Sequence, residues 1–118
     1  MSRLLNSFRY AFRRIGLYLS SGKNVNIHLA ATVVVVALGL YFHINPHDWL
    51  MLLVFITIVH VTEALNTALE RLVDLVSPQQ HPLAGKVKDM AAGAVLISAI
   101  AAVIAGAIIF CPYFTALA

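Results

Sequence analysis

The sequence predicts an all-α integral membrane protein, from its composition and from the placement of its charges. Of the 118 residues, 61% are hydrophobic and only 11% are charged, whereas a soluble domain carries about 25% charged residues. All eight Lys and Arg residues lie before the first apolar run or between the second and the third. A chain of this length is expected to form one domain, which we assign to residues 1–118.

The amino-terminal segment, within residues 1–22, is predicted to form an amphipathic helix on the membrane surface. Five apolar residues recur at helical spacing on one face, namely Leu4, Phe8, Phe12, Ile15 and Leu19. The arginines lie on other faces, as suits contact with anionic headgroups. Charges interrupt any candidate signal peptide, whereas the arginine-rich, acid-free composition leaves a transit peptide as an alternative.

Three apolar segments then predict membrane-spanning helices, because in lipid a helix satisfies its backbone hydrogen bonds within the segment. We assign them to residues 25–42, 49–76 and 86–112, with a turn over 43–48 between the first two. At about 1.5 Å per residue the second helix is on the order of 40 Å long, which exceeds the roughly 30 Å hydrocarbon core. Its far end must therefore leave the apolar layer.

The charge distribution also predicts the orientation. Both regions that contain Lys and Arg are expected in the cytoplasm, which places the amino terminus inside and the carboxyl terminus outside. Three spans enclose little of a pocket in one chain, and this favours an oligomer. Apart from the sign of the net charge, nothing in the sequence suggests a nucleic-acid partner.

The far end of the second span contains three of the five acidic residues of the chain. Since successive helical residues rotate by about 100°, one face holds a polar stripe made of Glu63, Asn66, Thr67, Glu70 and Asp74. Ionisable groups at membrane depth cost on the order of a few kcal/mol unless they are paired or hydrated, and they often mark function. The alternative is a polar cap at the membrane boundary, with Glu70 paired to Arg71 or a lysine.

Lys88 and Asp89 stand at the same boundary, directly before the third apolar run. Lysine can hold a phosphate as a point charge, and carboxylates can bind Mg²⁺ or act as a general base. Phosphoryl transfer depends mainly on positioning and charge neutralisation, so this combination favours it. The sequence contains neither GxxxxGK nor GxGxxG, and ATP would bind by other means. The histidines have no convincing metal-site spacing, and His28 is expected at the membrane interface.

The stretch EALNTALERLVDLVSPQQHPLAGKVKDMAAGAVLI, residues 63–97, resembles the prokaryotic diacylglycerol kinase family, which includes the undecaprenol kinases. The shared pattern is E-x-x-N-(S/T)-A-x-E-x-x-x-D, followed by a short connection and K-D. The segments SFRYAFRRI and NVNIHL resemble the family's amino-terminal part, so the resemblance covers nearly the whole chain. It implies a homotrimer in the bacterial inner membrane, with active sites shared between neighbouring subunits at the cytoplasmic interface.

The resemblance further implies an ATP-dependent kinase that phosphorylates the hydroxyl of undecaprenol or diacylglycerol. Glu63 would be the catalytic base that takes the proton from the lipid hydroxyl. Glu70 would bind the Mg²⁺ that accompanies ATP, and Asn66 would position the reacting groups.

The family's nucleotide-side residues also have counterparts in this chain. Lys88 would hold the ATP phosphates, with Asp89 beside it. The other matches are Asp74 and His81 on the nucleotide side and, more weakly, Tyr10 and Arg3 in the surface helix.

Two positions depart from the family pattern. Where relatives often have an acidic residue that is a second metal ligand, this chain has Gly22, so that water or a neighbouring side chain would complete the coordination. Gln80 stands where Tyr often precedes the histidine. Two alternatives stay open: a catalytically inactive kinase-like scaffold, and a small oligomeric channel or transporter subunit in which Glu63 lines a polar path.

Overall fold

The fold is a set of four helices, seen in a computed structural model that describes residues 2–20 and 23–117. The helices are α1 (Ser2–Leu19), α2 (Lys23–Phe42), α3 (Pro46–Val76) and α4 (Pro82–Leu117). Three of them are long and apolar enough to cross a membrane, over Asn24–Phe42, Pro46–Val76 and Pro82–Leu117. The prediction of an all-α membrane protein with three spanning helices is therefore confirmed.

Helix α1 ends at Leu19, and the side chain of the next residue turns back on the helix. The hydroxyl of Ser20 donates to the carbonyl oxygens of Gly16 and Leu17, at 3.2 and 3.1 Å. The apolar side chains of α1 are exposed; Phe8, for example, keeps 55% of its surface accessible and Phe12 keeps 70%. Gly22, where the sequence lacks the expected acidic residue, lies outside the described residues.

The connection between α2 and α3 is shorter than the predicted turn over 43–48. Asn45 caps α3 by accepting a hydrogen bond from the Asp48 backbone N–H at 2.8 Å. Pro46 occupies the first helical turn, where its missing N–H has no intrahelical partner to lose. The prediction was therefore wrong for residues 46–48, which begin the helix.

Helix α4 begins at Pro82, before the predicted start at residue 86, and continues past Pro112 to Leu117. Its first turn is fixed by His81, whose Nδ1 accepts the backbone N–H of Leu83 at 3.1 Å. This contact satisfies one of the N–H groups that a helix start leaves without an intrahelical partner.

Helix α3 lies between the other two long helices and packs most extensively against α4. The buried core is a cluster near the α2–α3 connection, formed by Ile44, Leu52, Ile109 and Phe110. The ring of Phe42 extends it, with centroids 5.5 Å from Tyr113 and 5.0 Å from Phe114. From Leu52 to Glu63 the helix rises on the order of 16 Å, so the polar stripe lies well away from this core.

Candidate active site

The polar stripe of α3 has a buried part and an exposed part. Glu63 keeps 3% of its surface accessible and Asn66 keeps 5%. One to three turns further along the helix, Glu70 and Asp74 are exposed. A carboxylate that is buried in an otherwise apolar helix is costly unless something compensates its charge. Glu63 is therefore the residue of the stripe whose position most needs a functional explanation.

The nearest charged or titratable partner of Glu63 belongs to α2. His28 Nε2 lies 3.5 Å from Glu63 Oε2, and both side chains are largely buried. Within residues 2–20 and 23–117, the buried Oε2 atom makes no hydrogen bond. From the sequence, His28 was expected only at the membrane interface. Its occurrence in the family-like segment NVNIHL is the one signal that could have pointed to a role.

Three helices meet at a second histidine, one turn before Glu63. The hydroxyl of Tyr18 lies 2.8 Å from His60 Nδ1, and Thr32 Oγ1 lies 2.9 Å from His60 Nε2. Thr32 also donates its hydroxyl proton to the backbone oxygen of His28 at 2.7 Å. Burial raises the pKa of the Tyr18 side chain, which belongs to α1, and the nearby charge of Glu63 raises it further. The phenol therefore stays protonated.

Asn66 connects the buried and exposed parts of the stripe. Its Nδ2 donates to Glu70 Oε1 at 3.2 Å, a contact between residues one helical turn apart. Its Oδ1 is buried and accepts no hydrogen bond from any described residue. The Nδ2 group is thus held by Glu70, while Oδ1 remains an acceptor that a ligand can use.

A cleft of about 600 Å³ opens between the end of α3 and the start of α4. Three predicted nucleotide-side residues line it: Asp74, His81 and Lys88. The ammonium of Lys88 is paired with the Asp74 carboxylate. In neutral His81, Nδ1 accepts from the backbone, so Nε2 carries the ring proton and remains able to donate.

The predicted site residues thus fall into separate groups within one chain. Glu63, Asn66 and Glu70 follow one another along α3 and do not line the cleft. Asp89 is exposed beside Lys88 and does not line it either. Tyr10 and Arg3 are exposed on α1, outside both groups. The contacts of Tyr18, His28, Thr32 and His60 were not predicted.

Comparisons with known proteins agree with the motif. The family model described as prokaryotic diacylglycerol kinase matches residues 9–110. An undecaprenol kinase of Bacillus subtilis is 36% identical over 112 residues, which are 95% of this chain and 91% of that protein. A diacylglycerol kinase of Escherichia coli K12 is 32% identical over 84 residues, which are 71% of this chain and 69% of that protein.

A diacylglycerol kinase of Synechocystis is 41% identical over 110 residues, or 92% of this chain. The match covers 63% of that protein, so this chain spans less than two thirds of its length. The family match extends from α1 nearly to the end of α4 and includes both groups of polar residues described above. The chain belongs to the prokaryotic diacylglycerol kinase family and is a membrane lipid kinase.

Proposed function

We propose that this lipid kinase transfers the γ-phosphate of ATP to the hydroxyl of undecaprenol or diacylglycerol. The observation that carries the proposal is Glu63, a buried carboxylate whose Oε2 makes no hydrogen bond to any described residue. Such an oxygen is suited to accept the proton of a lipid hydroxyl. The position also fits the substrates, since the lipid headgroup lies where the apolar layer ends and ATP arrives from water.

In this mechanism Glu63 is the general base. Its Oε2 takes the proton of the lipid hydroxyl as the lipid oxygen bonds to the γ-phosphate and ADP leaves. Asn66 positions the reacting groups through the amide that its hydrogen bond to Glu70 holds in place. Its buried Oδ1 is the acceptor available to a hydroxyl of the lipid.

The cleft between α3 and α4 would bind the nucleotide. Lys88 contributes the positive charge for the phosphates, and its ion pair with Asp74 keeps the ammonium at the cleft. His81 adds the Nε2–H donor. Asp89, Tyr10 and Arg3 belong to this nucleotide side only through the family resemblance.

A divalent metal would complete the charge balance, and we assign it as Mg²⁺ held by Glu70. The donor chemistry fits, because Mg²⁺ is commonly bound by one or two carboxylates together with substrate phosphates. Within the described residues no group of three or more His, Cys, Asp and Glu side chains could hold a metal, so phosphates and water would supply the remaining ligands. The ion would neutralise phosphate charge during transfer.

We further propose a homotrimer in the bacterial inner membrane, with the amino terminus in the cytoplasm and α1 on the membrane surface. Exposed apolar side chains on all four helices support burial against lipid and other subunits. The placement of Lys and Arg supports the orientation. Cysteines at positions 45 and 80, introduced after replacing Cys111, should label from opposite sides of the membrane; labelling from one side would contradict this topology.

The decisive experiment is a phosphorylation assay with purified Glu63→Gln protein. Undecaprenol and diacylglycerol are supplied in separate mixed micelles with Mg-ATP. Because a general base contributes about 10²- to 10⁴-fold, we expect turnover to fall by that factor while the helical fold is retained. Asp48→Asn makes the same carboxylate-to-amide change at the other end of α3 and should have little effect.

Two outcomes would contradict the proposal. Activity of Glu63→Gln within a few-fold of the parent would exclude Glu63 as the general base. Failure of the parent protein to phosphorylate either lipid would instead favour the inactive scaffold. Comparing the two lipids also decides which of them the enzyme uses.

A further inference from the structure

Four polar side chains beside Glu63 have no part in the mechanism above. They come from three helices: Tyr18 from α1, His28 and Thr32 from α2, and His60 from α3. Polar groups in a membrane helix are costly unless they are satisfied, and those that persist there usually serve a purpose. The contacts among these four residues indicate what that purpose is.

The direction of the hydrogen bonds follows from counting protons. Thr32 has one hydroxyl proton, and it goes to the backbone oxygen of His28. Thr32 Oγ1 can therefore only accept from His60 Nε2, which must carry a proton. In the neutral ring Nδ1 is then the acceptor, and Tyr18 donates to it. The hydrogen bonds run in one direction, from Tyr18 through His60 and Thr32 to the α2 backbone.

This chain of hydrogen bonds, which we call the histidine bridge, fixes α1 and α2 against α3 close to the catalytic base. His60 precedes Glu63 by three residues, so the two lie on neighbouring positions of one helix face. Thr32 binds the carbonyl of the same residue, His28, whose ring faces the carboxylate. A fully satisfied polar network of this kind rigidifies its surroundings.

The contact between His28 and Glu63 is close to a hydrogen bond without being one. Its 3.5 Å separation exceeds the usual range of about 2.7–3.2 Å. A small movement of the carboxylate closes it. The imidazole thereby limits where the carboxylate can turn. The His60 ring of the histidine bridge lies edge-on to this imidazole, with ring centroids 6.3 Å apart, and limits where the imidazole can move.

We propose that His28 is a positioning residue for Glu63 and that the histidine bridge of Tyr18, His60 and Thr32 holds it in place. The proposal rests on the proposed function, since it needs Glu63 to be the general base. It adds a requirement for catalysis that involves α1 and α2 as well as the stripe on α3. Substrate binding in the nucleotide cleft does not depend on it.

Substitutions that preserve shape test the role of His28. His28→Leu removes the ring nitrogens, and we expect kcat to fall about 10- to 100-fold, since misplacing a reacting group by about 1 Å can cost on the order of 10²-fold. His28→Gln keeps an N–H donor near the position of Nε2 and should retain most of kcat. In both variants the KM for ATP should stay unchanged.

The histidine bridge is tested by Tyr18→Phe and Thr32→Val, each of which removes one hydroxyl. Each should lower kcat severalfold, and the double variant should lose less than the product of the two factors, because both act through His60. The matched controls are Tyr41→Phe and Thr57→Val, which alter exposed side chains outside the network and should leave kcat unchanged.

Nitrogen NMR of ¹⁵N-histidine protein gives a readout independent of turnover. For His60 we expect a protonated Nε2 and an unprotonated Nδ1 that accepts a hydrogen bond. Tyr18→Phe should shift the Nδ1 resonance and Thr32→Val the Nε2 resonance. A protonated Nδ1, or no response to either substitution, would overturn the histidine bridge.

The two proposals fail in different ways. If Glu63→Gln retains activity, Glu63 is not the general base, and the positioning role of His28 is rejected as well. If Glu63→Gln is inactive while His28→Leu keeps the parent kcat, only the positioning role is wrong. Reduced thermal stability with an unchanged kcat per folded molecule would likewise reject it, since that is the result of a purely structural contact.

Discussion

At the scale of single residues, the ion pair of Lys88 with Asp74 is better explained by function than by stability. The two side chains keep 38% and 63% of their surface accessible. Exposed pairs of this kind contribute about 0–1 kcal/mol to stability. A lysine held so loosely can exchange its carboxylate partner for a phosphate at little cost. In the proposed mechanism, the pair would therefore keep the ammonium at the cleft before the nucleotide arrives.

Removing the charge of Lys88 should weaken nucleotide binding. Lys88→Gln is expected to raise the KM for ATP at least about tenfold, because a charge-assisted contact to phosphate is lost. Lys86→Gln is the matched control, since Lys86 is an exposed lysine two residues earlier that does not line the cleft. Steady-state kinetics at varied ATP measure both variants. An equal effect of the two substitutions would show that the KM for ATP depends on the net positive charge of this region and not on a specific contact of Lys88.

Of the candidate site, the sequence pointed to the polar stripe and missed the contacts between helices, for a physical reason. Residues such as Glu63, Asn66 and Glu70 follow one another along a single helix, so their spacing alone places them on one face. The contacts of His28 and His60 cross between helices. Such contacts depend on how α1 and α2 pack against α3, and residue spacing within one element does not contain that information.

At the scale of elements, the ends of the helices account for the errors in the predicted boundaries. Both misplaced starts have a capping side chain directly before a proline: Asn45 before Pro46, and His81 before Pro82. The asparagine–proline pair is a recognised helix-start signal. The interpretation of residues 43–48 as a turn did not take it into account. The histidine cap has no comparable sequence rule, because histidine is not among the preferred capping residues.

The end of α2 shows how one element constrains the next. The N–H groups of His43 and Ile44 donate to the carbonyls of Leu40 and Gly39, which is the pattern of a Schellman motif. His43 occupies the left-handed region with φ of 52°, where glycine is the usual residue. This reversal brings the Trp49 ring of α3 against the backbone of α2.

Gly39→Ala should therefore destabilise the packing of α2 on α3. A Cβ atom at this position would lie 2.6 Å from the Trp49 ring, and overpacking of this kind costs about 1–3 kcal/mol. Gly16→Ala is the control, because nothing lies within 4 Å of its Cβ position. Thermal unfolding in detergent should show a lower midpoint for Gly39→Ala alone. Unchanged midpoints in both variants would contradict the close approach of the two helices.

At the scale of the whole molecule, one chain leaves much of its apolar surface uncovered. Its radius of gyration is 17.7 Å, whereas a compact chain of this length would have about 13 Å. Large apolar side chains such as Ile97 and Val103 keep more than two thirds of their surface exposed. Lipid can cover such surfaces, and so can neighbouring subunits. Composition predicted the apolar surface, but it does not say whether lipid or another subunit covers a given part of that surface.

The separation of the two polar groups favours an active site built from two subunits. Lys88 is paired with Asp74, and from Glu63 to Asp74 the helix rises on the order of 16 Å. This is a long way for a phosphate held by Lys88 to reach a hydroxyl deprotonated by Glu63 of the same chain. A neighbouring subunit related by rotation could bring its own Lys88 closer to that base, as closed cyclic symmetry permits.

Mixing two impaired variants tests this arrangement, at an ATP concentration well below the parent KM, where Lys88→Gln turns over slowly. Glu63→Gln and Lys88→Gln subunits are each purified, dissociated, mixed in equal amounts and reassembled. If base and lysine come from different subunits, random assembly should give about a quarter of the parent activity, because half of the bases are intact and half of their neighbours' lysines are intact. If both residues of a site belong to one chain, every site in the mixture is defective and activity should stay at the level of the unmixed variants. The control is Glu63→Gln mixed with the double variant Glu63→Gln/Lys88→Gln, in which no intact base exists and neither arrangement allows recovery.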